Sequence, residues 1–203
     1  MPRAAISGIS MNHSTQAMER LLVALKDGRA RALPPVERWN PPYCGDIDMR
    51  ITEDGTWFYL GTPIGRPALV KLFSSVLRRD GGDYFLVTPV EKVGIKVDDA
   101  PFQAVEMTVE GTGDERAIAF RTLVDDIVSV SPEHAIRFVR DANDGLKPYV
   151  HIRRDLWARV TRALTYDLLA LGEIRPVDGV SMFGLAVAGA FYPAVPASEI
   201  EGL

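Results

Sequence analysis

The fold is decided near the middle of the chain by residues 86–102, which read LVTPVEKVGIKVDDAPF. The pattern predicts two strands that meet at Pro89, because proline lacks the N–H group that a strand ladder needs. The apolar run from Tyr84 to Val87 is the first strand, and the β-branched stretch from Val90 to Val97 is the second. The second strand ends at the turn residues from Asp98 to Pro101. We therefore expect this stretch to lie where two halves of the chain meet.

The amino-terminal half, residues 1–83, is predicted to begin with a helix and a stiff loop. Ser14 is suited to cap a helix from Thr15 to Lys26, whose apolar residues share one face and which Gly28 ends. Four prolines between Leu33 and Pro42 exclude a helix or a central strand in the loop that follows. This loop carries Trp39, and aromatic side chains on a rigid loop either form a pocket wall at a domain interface or, more often, wrap a core.

A hairpin and a second helix complete this half. The turn Glu53-Asp54-Gly55 separates two strand-like runs, and glycine at this position adopts a positive φ at little cost. Pro67 is suited to the first turn of a helix with a wide apolar face, which we expect to end near Arg79.

The carboxy-terminal half, residues 84–172, is predicted to be rich in β-strands and to end in one long helix. The helix runs from Arg153 to Leu171, with leucine and valine on one stripe. We expect antiparallel sheets in both halves. Antiparallel strands followed by such a helix indicate an α+β fold in which the helix covers a curled sheet, as in pleckstrin-homology-like barrels. Residues 173–203 are rich in Gly, Ala and Pro, and we interpret them as an extended tail. The seven strands are expected at Tyr84–Thr88, Glu91–Val97, Gln103–Glu110, Arg116–Thr122, Asp126–Ser129, Ala135–Arg140 and Lys147–Ile152.

The composition is that of a globular protein, with 47% hydrophobic and 25% charged residues and a formal net charge of −4. A single cysteine, Cys44, excludes an internal disulfide framework, and the first residues do not resemble a secretory leader. We therefore expect a cytoplasmic protein. The longest apolar stretch, from Met182 to Tyr192, is too short to span a membrane.

Seven short motifs occur in order along the chain: Trp39–Pro41, Cys44–Met49, Asp54–Trp57, Pro63–Ile64, Val87–Lys92, Asp98–Phe102 and Pro148–Arg153. Together they resemble the bacterial family called domain of unknown function 1285 (DUF1285), over roughly residues 34–172. The resemblance implies a core built by duplication, a carboxy-terminal half similar to pleckstrin-homology folds, and a nucleotide-like ligand held between the halves in signal transduction. It implies no catalytic residues.

The strongest candidate for ligand contact is a group of arginines along the predicted last helix. The planar guanidinium group pairs with phosphate or carboxylate through two parallel hydrogen bonds. Arg159 and Arg162 would share a helix face with Tyr166, which could stack on a base, and Arg153 lies nearby. A solvated face, or ion pairs such as that of Asp155 with Arg159, is the competing interpretation.

Three further residues in the amino-terminal and central stretches are candidates for the same ligand. Lys92 alternates with Glu91 on a strand, so one of the two can face an anion at the meeting of the halves. Trp39 and Asp46 flank the proline-stiffened loop and could line a pocket there.

Motifs for other chemistries are missing from the sequence. The three histidines are scattered and there is one thiol, so we expect no metal and no cofactor. No Gly-x-Gly-x-x-Gly, Gly-Lys-Ser/Thr or Gly-x-Ser-x-Gly pattern occurs, which disfavours Rossmann, P-loop and α/β-hydrolase sites.

We conclude from the sequence that the chain is a non-catalytic binding or signalling module that holds an anionic, nucleotide-like small molecule at the interface of its two halves. A small hydrolase or transferase that uses Asp46, Asp48 or His151 is one alternative, and a protein-interaction module is another. We expect no nucleic-acid polymer as partner. A protein partner or a homodimer stays open, since Phe183, Phe191 and Tyr192 could be exposed or buried.

Overall fold

The structure, a computed structural model, describes residues 15–16, 18–23, 33–141 and 145–200. It divides the chain into two compact units, a first unit that ends at Asp99 and a second unit that begins at Ala100. The described chain is mostly β-sheet with few helices and belongs to the α+β class. Within these residues, no helix has the length and apolar character that crossing a membrane requires.

The first unit is built on a six-stranded sheet. Its strands are β1 (Tyr43–Ile51), β2 (Trp57–Tyr59), β3 (Thr62–Pro63), β4 (Leu77–Asp80), β5 (Asp83–Val87) and β6 (Lys92–Val97). They lie in the order β3-β2-β1-β6-β5-β4. The central neighbours β1 and β6 are parallel, whereas all other neighbours are antiparallel.

Two local predictions for this unit are confirmed. The hairpin turns at Gly55, which has a φ of 81°, and Ile51 pairs with Trp57 beside the turn. Helix α1 (Pro67–Ser75) begins at the predicted proline. It is shorter than predicted, because the chain after it forms β4, in which buried Leu77 pairs with Leu86.

The amino-terminal helix is confirmed where the structure describes it, at residues 15–16 and 18–23. Leu21 is fully buried, as its place on the predicted apolar face requires. Arg20 Nε lies 3.2 Å from Glu91 Oε2, and this carboxylate is only 3% exposed. The helix is thereby fastened to the turn between β5 and β6. The predicted cap at Ser14 and the predicted end at Gly28 lie outside the described residues.

The structure places residues 84–97 in the first sheet rather than in the second half. Strand β5 pairs with β4, and β6 pairs with both β5 and β1. The division therefore falls between Asp99 and Ala100, not at Tyr84. The physical reason is the parallel pairing of β6 with β1, which joins residues nearly fifty positions apart and leaves no mark on the local pattern.

The second unit also contains a six-stranded sheet, which is curled into a half-barrel. Its strands are β7 (Phe102–Glu110), β8 (Ala117–Thr122), β9 (Ile127–Ser129), β10 (Ile136–Arg140), β11 (Leu146–Arg153) and β12 (Leu156–Val160). They lie in the order β10-β11-β12-β7-β8-β9, and the central pair β7 and β12 is parallel. The five strands predicted between Gln103 and Ile152 match β7 to β11.

The prediction of one long helix from Arg153 to Leu171 is wrong. The first part of that stretch forms a hairpin, in which the chain turns at Arg154 and returns as β12. Only helix α2 (Arg162–Leu169) is helical. Leu156 and Val160 are four residues apart, and that spacing puts two side chains on one face of either a helix or a strand. Buried Ala158 between them shows the two-residue period of the strand.

The predicted extended tail is instead an antiparallel three-stranded sheet, β13 (Glu173–Val177), β14 (Val180–Val187) and β15 (Ala190–Pro196). Both of its turns have two residues with positive φ, Asp178-Gly179 and Ala188-Gly189. This is the geometry of tight hairpins, and Asp-Gly is its most typical sequence. Tyr192 is buried, while Phe183 and Phe191 are half-buried.

Candidate ligand pocket on the first sheet

Strand β1 contains an irregularity that places two side chains on one face. Its register with β6 shifts between Tyr43 and Asp46, and Gly45 between them has a φ of 94°. Residues three apart in a regular strand point to opposite faces. Here Tyr43 Oη donates a hydrogen bond to Asp46 Oδ1 at 2.6 Å. The bulge therefore turns the Asp46 carboxylate towards the tyrosine, as bulges beside functional sites often do.

Gly94 on β6 makes room for this carboxylate. It pairs with Asp46 across the two central strands. A Cβ atom on Gly94 would lie 1.9 Å from Asp46 Oδ1 and 3.6 Å from Tyr43 Oη. The first distance is far below any van der Waals contact, so a larger residue would displace the carboxylate. The hydrogen-bonded pair Tyr43 and Asp46 thus depends on a glycine at this position.

A pocket of about 700 Å³ lies over this part of the sheet. Strand β1 contributes Tyr43 and Asp46 to its lining, and β6 contributes Lys92, Gly94 and Lys96. Strand β5 adds Asp83, Tyr84 and Phe85. The lining therefore combines aromatic rings, two ammonium groups and two carboxylates within the first unit.

Aromatic side chains form one wall of the pocket. Phe85 pairs with Gly94 across β5 and β6, so the two lie side by side in the sheet. The Tyr43 ring meets the Phe85 ring edge-on, with 6.0 Å between centroids and an interplanar angle of 88°. Lys92 Nζ lies 4.6 Å from the Phe85 centroid, within the range of a cation–π contact.

The two lysines of the pocket differ in their partners. Lys92 Nζ lies 3.3 Å from Asp80 Oδ2, and Arg78 Nη2 donates to the same oxygen at 2.8 Å. The hydrogen bond from Arg78, with that of Lys92, lowers the pKa of Asp80. Lys96 is exposed, and among the described residues its ammonium group makes no ion pair. Lys96 is therefore the cation most accessible to a bound anion.

The hydroxyl of Tyr43 remains a donor at ordinary pH. Its hydrogen bond to Asp46 raises the pKa of Tyr43, and burial and the negative charges of Asp46 and Asp83 add to this effect. A neutral tyrosine continues to donate to the carboxylate. Asp46 makes no ion pair with any side chain in the described part of the chain. Its outer oxygen therefore remains available as an acceptor in the pocket.

The structure brings together two of the residues that the sequence analysis selected, Lys92 and Asp46. Trp39 follows a short 3-10 helix (Val36–Arg38), and its carbonyl oxygen accepts a hydrogen bond from Arg78 Nη1 at 2.7 Å. It is not part of the pocket lining.

The candidate arginines all lie in the second unit, on different elements. Arg153 ends β11, pairs with Asp126 and covers the ring of Phe102, with 4.6 Å from Cζ to the centroid. Arg159 lies on β12. Arg162 begins α2 and donates to Tyr166 Oη at 3.2 and 3.3 Å. Arg159 and Arg162 therefore do not share a helix face, and contact of these residues with a ligand stays a prediction.

The sequence analysis did not select Tyr43, Phe85, Gly94 or Lys96. Two signals for the site were present, since Gly45 and Gly94 both interrupt strand-like runs. An isolated glycine in a strand indicates a bulge or a close approach of another group. The pairing of Asp46 with Gly94 is a tertiary feature, so the sequence showed the two glycines only as separate irregularities.

The geometry of the described residues gives little support to two other kinds of site, a catalytic histidine and a metal site. His151 lies on β11, its Nδ1 atom 2.7 Å from the carbonyl oxygen of Glu133 and its Nε2 atom beside that of Arg154. The imidazole is therefore engaged with main-chain groups. No group of three or more His, Cys, Asp or Glu residues suited to a metal ion occurs within residues 33–141 and 145–200 or the described helical residues.

Comparisons with known proteins agree along most of the chain. The model of the DUF1285 amino-terminal domain, a domain of unknown function, matches residues 34–100, and that of the carboxy-terminal domain matches residues 101–194. The structure is similar to the crystal structure of a DUF1285 family protein from Silicibacter pomeroyi DSS-3, with a TM-score of 0.81 and 47% identity. That match covers 89% of this chain and 97% of the other.

A second DUF1285 family protein, from Shewanella baltica OS155, is 28% identical over 61% of this chain and 91% of its own, with a TM-score of 0.48. No curated protein matches this chain.

Proposed function

Since this chain belongs to the DUF1285 family, as its motifs predicted, and the family descriptions name no activity, we propose a function from its pocket. The chain is a non-catalytic module that binds an anionic, nucleotide-like small molecule and takes part in signal transduction in the cytoplasm. The observation that carries the proposal is the pocket over Gly94. It combines aromatic rings, an accessible ammonium group and the carboxylate of Asp46.

The size and lining of the pocket support a small organic ligand. Its volume of about 700 Å³ is within the range of roughly 300–1,000 Å³ that small-molecule sites occupy. Such sites combine apolar or aromatic surface with a few polar groups that fix the orientation of the ligand. Tyr43 and Phe85 supply the aromatic surface, and the polar groups are those of Asp46 and Lys96.

The charges support a ligand that carries an anionic group at one end. Lys96 is exposed at the pocket and has no competing ion pair among the described residues. Lys92 is held by Asp80 and by the Phe85 ring, so it contributes positive potential to the site. A phosphate would therefore bind at Lys96, and the rest of the ligand would extend towards Asp46.

The proposal retains the arginines of the second unit as further ligand contacts. Arg153, Arg159, Arg162 and Tyr166 were selected because a guanidinium group suits phosphate and a tyrosine ring suits a base. Their substitution, followed by the same nucleotide titrations, tests whether these residues contact a ligand.

Binding can be tested by thermal unfolding with purine and pyrimidine nucleotides, since a ligand that binds only the folded state raises the melting temperature with concentration. We expect Lys96→Ala and Phe85→Ala to weaken the shift. Lys71→Ala is the matched control, because it removes an exposed lysine of α1 that does not line the pocket.

The proposal fails if no nucleotide raises the melting temperature, or if Lys71→Ala weakens the shift as much as Lys96→Ala. Release of phosphate during the same incubation, abolished by Asp46→Asn, would favour the hydrolase alternative. Capture of a protein partner that survives Lys96→Ala, with no nucleotide effect, would favour the interaction module.

A further inference from the structure

The carboxylate of Asp46 is an acceptor kept apart from the lysines of its own pocket. Lys92 is directed to Asp80 instead, at 3.3 Å. In the described part of the chain, neither Lys92 nor Lys96 forms an ion pair with Asp46. A carboxylate left without a cation in a pocket that contains two lysines remains available for a group of the ligand.

Three features hold this carboxylate in one orientation before any ligand binds. The positive φ of Gly45 turns the strand, and the missing side chain of Gly94 makes space for Oδ1. The hydroxyl of Tyr43 then donates to Oδ1 at 2.6 Å. The hydroxyl occupies one of the two lone pairs of Oδ1, which leaves one acceptor position on Oδ1 and those of Oδ2 for a ligand. An acceptor oriented in advance loses less entropy when it binds a donor, which favours discrimination between ligands.

A carboxylate discriminates between bases because it only accepts hydrogen bonds. Guanine presents two adjacent donors on one edge, the ring N–H group and the exocyclic amino group. Adenine and cytosine present a donor beside a ring nitrogen that accepts, and uracil presents one donor between two carbonyl oxygens. Guanine alone among these bases makes two parallel, charge-assisted hydrogen bonds to a carboxylate.

We infer that Asp46 is a specificity-determining residue and that the pocket selects guanine nucleotides. The guanine edge binds the carboxylate beside Tyr43, and the phosphate lies towards Lys96. This inference rests on the proposed function, because it names the base of the nucleotide-like ligand. It assigns to the bulge in β1 the task of presenting an acceptor to the ligand.

Isothermal titration of the full chain with GMP and AMP measures the selectivity. We expect GMP to bind at least about tenfold more tightly than AMP, the discrimination that one well-formed pair of hydrogen bonds provides. Asp46→Asn should reduce this ratio to near one. The amide keeps an oxygen for Tyr43, so the variant should fold, which its melting temperature verifies.

A gain of binding provides the sharper test. Xanthosine monophosphate has a carbonyl oxygen where guanine has its amino group, so it opposes a carboxylate but suits an amide, which both donates and accepts. Asp46→Asn should therefore bind this nucleotide more tightly than the unchanged protein does. Asp178→Asn is the matched control, since Asp178 is an exposed aspartate in a turn of the third sheet, outside the pocket lining, and should leave the ratio of GMP to AMP unchanged.

The outcomes distinguish a failure of the guanine assignment from a failure of the proposed function. Equal affinity for GMP and AMP, or an equal loss of selectivity in Asp178→Asn, overturns the assignment to Asp46 and leaves a nucleotide-binding pocket. Absence of binding by either nucleotide overturns the proposed function together with this inference.

Discussion

The two six-stranded sheets follow one plan and differ at their central pair of strands. Each consists of two three-stranded meanders, and the first strand of the first meander lies parallel to the last strand of the second. This shared plan agrees with the duplicated core that the family resemblance implied. In the second sheet the central pairing is continuous from Phe102 to Ala104, whereas in the first it is interrupted at Gly45.

The difference shows how one topology produces either packing or a pocket. Along the regular pair of the second sheet, Leu156, Ala158 and Val160 alternate with outward side chains and fill a core. Along the irregular pair of the first sheet, the bulge at Gly45 brings Asp46 opposite Gly94, and the Asp46 carboxylate occupies the space that a side chain at Gly94 would fill. Interruption of the register therefore converts a stretch of sheet surface into a site.

The largest effect is expected where the regular central pair is damaged. Leu156 is fully buried, so Leu156→Ala removes packed methyl groups and leaves a cavity that costs about 2–5 kcal/mol of unfolding free energy. Urea unfolding measures this loss. Leu123→Ala in the same unit is the control, because Leu123 is 53% exposed and should change stability by at most about 0.5 kcal/mol. Equal costs would contradict the assignment of Leu156 to the core.

The second-largest effect is expected at the ion pair that joins the amino-terminal helix to the turn between β5 and β6. Arg20→Ala leaves the buried Glu91 carboxylate without its guanidinium partner, which should cost about 1–3 kcal/mol of unfolding free energy. Adding Glu91→Gln should restore part of that loss, because an uncharged amide is cheaper to bury. If the double variant is no more stable than Arg20→Ala, the ion pair of Arg20 with Glu91 does not contribute significantly to the free energy of unfolding.

A smaller effect on stability, but a large one on binding, is expected at the irregular pair. Gly94→Ala places a Cβ atom where Asp46 Oδ1 lies, so the carboxylate must move and its hydrogen bond with Tyr43 is lost. Only a side-chain terminus has to move, so we expect a loss of about 1 kcal/mol or less, with nucleotide-induced thermal shifts abolished.

Gly82→Ala is the control for that variant. Gly82 also lines the pocket, but a Cβ atom there would meet nothing within 4 Å. Binding should therefore be retained. Loss of nucleotide binding in Gly82→Ala, or retention of nucleotide binding in Gly94→Ala, would show that binding in the pocket does not depend on the bulge in β1.

The smallest effect is a pH dependence at the edge of the first sheet. The hydrogen bond from Arg78 lowers the pKa of Asp80 below its ordinary value of 3.8. A carboxyl group with a lowered folded-state pKa stabilises the fold above its unfolded-state pKa, and this contribution is lost as pH falls through the folded-state pKa. Urea midpoints measured from pH 5 downwards should fall, and less steeply in Asp80→Asn. The effect is small because the Asp80 side chain is 37% exposed.

Elements with a local signal could be predicted from the sequence, whereas several others could not. The Gly55 turn, the start of α1 at Pro67 and the strands from β7 to β11 all followed from neighbouring residues. Strand β12 was mistaken for a helix, because Leu156 and Val160 fit either period. The third sheet was missed although its Asp178-Gly179 turn is a hairpin signal, because the surrounding Gly, Ala and Pro residues suggested an extended tail.

Even less of the candidate site than of the fold could be predicted from the sequence. Lys92 and Asp46 were selected as single residues, but nothing in the sequence relates Tyr43 to Phe85 or Gly45 to Gly94. The parallel pairing of β1 with β6 brings these residues together across nearly fifty positions. The arginines seemed to form a group only because a helix was assumed between Arg153 and Leu171.

By itself, the amino-acid sequence determined the family, the α+β class and most of the short strands, because turn residues and side-chain alternation act over a few neighbouring positions. Only the tertiary structure decided which strands became neighbours, where the chain divides into units, and that the Asp46 carboxylate would lie against the distant Gly94. Strand pairing depends on the summed burial of faces and on backbone hydrogen bonds across the whole sheet, and no local stretch contains that sum.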